Sequence, residues 1–164
     1  MNILCEEVAR IPQVACTVED FHNASDIERR ASIAMAAGQR VVLVGHSMGG
    51  NMALRIAAAM KGSVALIVTV DASWLPPPVV PPNVDLVLNY YQGYDVLGRA
   101  TLEAPPAFQG KLFQFRRNEP HVVIDRSPDI HAEIITRVRD ILSSLNSPPL
   151  GHALPAPNFD RRSR

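Results

Sequence analysis

Ser47 is the residue whose surroundings are best suited to chemistry. It sits in Gly45-His46-Ser47-Met48-Gly49, which fits G-x-S-x-G. A serine hydroxyl becomes a nucleophile when a base can take its proton and when the oxyanion that forms is stabilised. The pentapeptide serves that end where a strand precedes it and a helix follows, because the bend holds the hydroxyl out at the strand's carboxyl end. Val41-Val42-Leu43-Val44 predicts a strand buried on both faces, and residues 51–60 predict an Ala-rich helix. The serine is then expected in a strained backbone geometry. Gly45 and Gly49 are expected to remove Cβ atoms that would collide in so tight a turn. The Met48 backbone amide, at the helix N-terminus, is expected to donate to an oxyanion.

Gly-His-Ser-Met-Gly-Gly followed by a helix resembles the α/β-hydrolase superfamily, and the likeness covers roughly residues 14–145. It implies a mostly parallel sheet flanked by helices and a catalytic order of Ser, Asp, His along the chain. Asp71 ends the strand after the serine turn, and Val-Thr-Val-Asp-Ala-Ser is similar to the strand that carries the acid in acyl-thioesterase domains. Asp95, after the next strand, is where the superfamily more commonly places its acid, so it stands as the alternative. Asp85, within a strand, is a weaker candidate. The base implied is His121, because Glu-Pro-His-Val-Val-Ile-Asp-Arg-Ser-Pro resembles the superfamily's histidine loop. His131, inside the last helix, is the alternative base, although a partly buried structural histidine is the plainer reading there. His46 is expected to pack beside its strand without serving as the base.

The resemblance then implies a mechanism. His121 takes the Ser47 proton, Asp71 holds the imidazole tautomer, and an acyl-enzyme forms and is hydrolysed. The narrower likeness is to small thioesterase- or lipase-like hydrolases, so the substrate class expected is an acyl ester or thioester. No metal and no cofactor is expected, for the chain has neither G-x-G-x-x-G nor a phosphate loop. Two other functions stay open: a non-catalytic relative that binds a ligand or partner, and an acyltransferase using the same triad. The superfamily's further strand, with the loop that supplies a second oxyanion amide, would fall before Met1, and no His-Gly or Gly-Gly sequence for it is visible.

Positioning these residues requires about five strands in a compact α/β-hydrolase-like fold. A helix is predicted over residues 1–11 and stops at Pro12. A short strand follows over 14–18. A helix over 26–37 is expected to start from a Ser25–Glu28 capping box and to end at Gly38. After the serine helix come strands over 64–70, 84–91 and 111–116. Ser127-Pro128 then opens a helix to about Leu145, with Ile130, Ile134, Val138, Ile141 and Leu145 on its buried stripe. Five prolines between Trp74 and Asn83 exclude regular structure there. Trp74, Leu75, Val79, Val80, Tyr91 and Tyr94 are candidates to line an acyl pocket. Residues 1–145 read as one domain, and 146–164 as a Pro-rich, disordered tail.

Composition narrows the partners. The chain has 164 residues, 47% of them hydrophobic, and sixteen basic residues balance sixteen acidic ones. That neutrality, with few aromatics, argues against nucleic acid as a partner. No apolar run is long enough to span a membrane. Cys5 and Cys16 form no metal or redox motif and are expected to be reduced thiols in a cytoplasmic protein. The strand over 14–18 would lie near a sheet edge, which leaves pairing between chains open.

Overall fold

The structure is a computed structural model and describes residues 1–73, 79–92 and 101–146. Four strands form one sheet: β1 (Val42–His46), β2 (Leu66–Val70), β3 (Leu86–Gln92) and β4 (Lys111–Arg117). They lie in chain order and every pair is parallel. The helices are α1 (Asn2–Val8), α2 (Ala24–Ala36), α3 (Met48–Ala59) and α4 (Pro128–Asn146). Among these residues, no helix is long and apolar enough to cross a membrane.

Strand periodicity decides which residues meet which helices. Leu66, Val68 and Val70 of β2, with Leu86, Leu88 and Tyr90 of β3, pack with Leu4 and Val8 of α1 and Ile130, Ile134, Val138 and Ile141 of α4. The alternate positions Ile67 and Val87 pack on the opposite face with Ala53, Leu54, Ile56 and Ala57 of α3. A parallel strand covered by helices on both faces is apolar at nearly every position, and β2 is fully buried along its length. The polar exception is a cross-strand ladder. Thr69 Oγ1 donates to Asn89 Oδ1 at 2.7 Å, and Asn89 Nδ2 to Gln114 Oε1 at 3.1 Å.

Several expectations need correction. Residues 14–18 form no strand, so the described sheet has four strands and not five. Val14 N–H donates to the Ile11 carbonyl, and Val14 and Cys16 pack their side chains on the core without joining the ladder. The sheet edge is therefore β1 itself, and its Val42, Leu43 and Val44 are only half-buried. The second helix starts at Ala24, so Ser25 lies inside it and forms no cap. Asp20 instead accepts from His22 N at the head of a short 3₁₀ turn. Gly38 ends the helix in a left-handed conformation, as read from the sequence.

Cys5 and Cys16 are joined in a disulfide, with Cα atoms 5.6 Å apart, and are not free thiols. The turn that brings them together is made by Gln13, whose positive φ of 69° folds the chain back toward α1. Spacing alone did not disclose that reversal.

Candidate active site

The turn after β1 has the strain expected of it. Ser47 adopts φ 54° and ψ −124°, a conformation that residues with a Cβ rarely hold. Its backbone is fixed from both sides: Ser47 N–H donates to the Val70 carbonyl at 2.9 Å, and the Ser47 carbonyl accepts from Gly50 N at 3.0 Å. A Cβ on Gly45 would stand 2.1 Å from the Gly49 carbonyl oxygen, so only glycine fits there. The second close approach is at Gly50, where a Cβ would stand 2.9 Å from that of Ala72. Gly49 was expected to fill this role, but a Cβ there would meet nothing within 4 Å. Met48 N–H lies at the first position of α3, where no intrahelical carbonyl can reach it.

Asp71 stands one strand away, immediately after β2. It is fully buried and has a positive φ of 47°. Its Oδ1 accepts from Gln92 N–H at 3.1 Å, and its Oδ2 accepts from His121 Nδ1–H at 2.6 Å. A carboxylate can only accept, so the proton of the neutral ring lies on Nδ1 and Nε2 carries a lone pair. Asp71 and His121 are thus brought together across fifty positions of sequence. Asp95, the alternative acid, lies outside the described residues, as do Trp74, Leu75 and Tyr94. Ser47 Oγ has no hydrogen-bond partner among the described residues, His121 Nε2 included. Such contacts are often long before substrate binds and tighten in the complex.

Residues 10–162 match a family model described as "Alpha/beta hydrolase family". The chain belongs to the α/β-hydrolase family. A search of curated proteins found no match.

The histidine loop of this α/β-hydrolase is held at several points. Glu119 pairs with Arg117 and accepts from Ser127 Oγ at 3.1 Å, while Gln92 Nε2 donates to its carbonyl. Val123 N and Ile124 N both donate to the Pro120 carbonyl, closing a turn around His121. Asp125 accepts from the Met1 ammonium at 2.9 Å. His131, the alternative base, is buried within the structure: Nδ1 faces Glu7 Oε2 and Nε2 faces the Asp125 carbonyl, both at 2.8 Å. Both of its nitrogens are occupied, so it ties α1 and α4 to the histidine loop and has none left for Ser47. Val80 is likewise core rather than pocket lining, while Val79 is exposed.

The Glu119 carboxyl titrates at about 2 in place of its ordinary 4.5, chiefly because the Arg117 side chain donates to it. A depressed folded-state value means that the pair contributes stability above pH 4.5 and loses it as pH falls through about 2. Glu119→Gln is therefore expected to melt below wild type at neutral pH, with the gap closing toward pH 2. Thermal melts followed by circular dichroism check this; a gap constant over that range would contradict it.

The sequence places His46 beside its strand but does not disclose its bond to His121. Its Nε2–H donates to the His121 carbonyl at 2.9 Å, and the two rings lie 4.7 Å apart at 36°. Burial, and then the neighbouring His121, lower its pKa and favour the neutral ring. The available signal was its place next to Ser47 at the end of β1. Among the described residues, no group of three or more His, Cys, Asp or Glu is arranged to hold a metal ion.

Proposed function

We propose that this α/β-hydrolase is a serine hydrolase that cleaves a carboxylic ester or thioester through an acyl-enzyme on Ser47. His121 Nε2 accepts the Ser47 proton as Oγ bonds to the substrate carbonyl carbon. The carbonyl oxygen becomes an oxyanion within reach of Met48 N–H. Collapse of the tetrahedral adduct breaks the bond to the alcohol or thiol, which leaves with the proton from His121. Water then repeats the cycle on the acyl-serine, giving the acid and free Ser47. Asp71 stays ionised throughout, orienting the ring and stabilising its charged form.

The observation that carries this reading is the 2.6 Å Asp71–His121 contact, which leaves Nε2 bare at the same sheet end as a strained serine turn. Strain of this kind costs on the order of 1–3 kcal/mol and is tolerated mainly where function requires it. A competing reading, a non-catalytic relative that binds a ligand, draws on the absence of a hydrogen bond between Ser47 and His121 among the described residues. Short-chain p-nitrophenyl esters and an acyl-CoA separate the two. Turnover of either is expected from wild type; no turnover of either by folded protein favours the binding module.

A further inference from the structure

We propose that His46 is a positioning residue: by donating Nε2–H to the His121 carbonyl, it ties the catalytic histidine's backbone to the turn that presents Ser47. The inference rests on the serine-hydrolase reading above. Asp71 holds the His121 ring at Nδ1, but one hydrogen bond leaves a ring free to pivot about it. The bond from His46 adds a second point, on the main chain of the same residue, so the direction of Nε2 is fixed as well as its distance. The two anchors come from adjacent strand ends, Asp71 after β2 and His46 at the end of β1.

The order of residues in the turn gives the arrangement its value. His46 and Ser47 are consecutive, so a shift of the turn carries nucleophile and anchor together. The base then follows the nucleophile through the anchor. The His46 ring also lies against the His121 ring, with centroids 4.7 Å apart, and blocks rotation toward that side. Reacting groups need placement within fractions of an ångström, so an anchor far from the bond being made still affects rate. The scheme routes no proton through His46, whose Nε2–H serves as the donor to the His121 carbonyl.

Three variants test the inference. His46→Phe keeps a flat ring without a donor. His46→Gln sets an amide N–H near the Nε2 position, whereas the shorter amide of His46→Asn falls short of it. With a p-nitrophenyl ester, His46→Phe and His46→Asn are each expected to lose about 3- to 10-fold in kcat, the worth of one hydrogen bond, with KM nearly unchanged. His46→Gln is expected to recover most of that loss. Equal losses in the Gln and Asn variants, or wild-type kcat in either the Phe or the Asn variant, would overturn the role. If His46→Phe does not fold, the Gln and Asn pair decides the matter alone. Failure of the underlying reading looks different: wild type itself would then turn over neither the ester nor the acyl-CoA, and both inferences would fall; where only the acyl-CoA is turned over, the three variants are compared on it.

Discussion

Ser47→Ala is expected to abolish ester turnover while leaving the fold intact. Removing the nucleophile of a serine triad costs on the order of 10⁶ in kcat, and what remains comes from binding and oxyanion stabilisation alone. The fold has no reason to suffer, because Ser47 Oγ makes no hydrogen bond among the described residues and the turn is held by backbone contacts. Alanine still carries a Cβ, so the strained φ of 54° is neither relieved nor worsened. The variant should therefore melt close to wild type. Residual activity within about a hundredfold of wild type would move the chemistry away from this serine.

Asp71→Asn is expected to lower kcat by about 10⁴-fold, the loss that accompanies the wrong imidazole tautomer in other serine triads. The geometry says how. Asp71 Oδ1 accepts from the backbone N–H of Gln92, so an asparagine keeps that bond by placing its own Oδ1 there. Its NH₂ must then face His121 Nδ1, where the carboxylate now accepts. A donor facing Nδ1 drives the proton to Nε2, and Nε2 can no longer take the serine's. Kinetics of the purified variant check this. An effect under tenfold would leave the acid's role to another group, with Asp95 the first to test.

The core of the candidate site is legible because local signals agree with the global ones. Gly45 and Ser47 sit between a β-branched run and an Ala-rich run, and the structure has a strained turn between β1 and α3 there. Asp71 and His121 each follow a strand, and a parallel sheet sends all its strand ends to one side, so order along the chain became proximity in space. What stayed illegible involved partners distant in sequence. Residues 14–18 alternate like a strand, yet the structure joins Cys16 to Cys5 through a turn at Gln13. β1 looked buried on both faces because its residues are as apolar as those of β2; only the sheet order shows it to be an edge. The His46 bond is to a backbone carbonyl, and no residue type announces that. Gly49 and Gly50 could not be told apart by motif, since the difference lies in where Ala72 packs.

A fluorophosphonate tests the central claim most directly, because it reacts with an activated serine whatever acyl group the natural substrate carries. Intact-mass spectra of the treated protein, followed by peptide mapping, report both stoichiometry and site. One adduct per chain on Ser47, suppressed in Asp71→Asn, is the result expected. An unmodified Ser47 in folded wild-type protein, or an adduct elsewhere, would contradict the account.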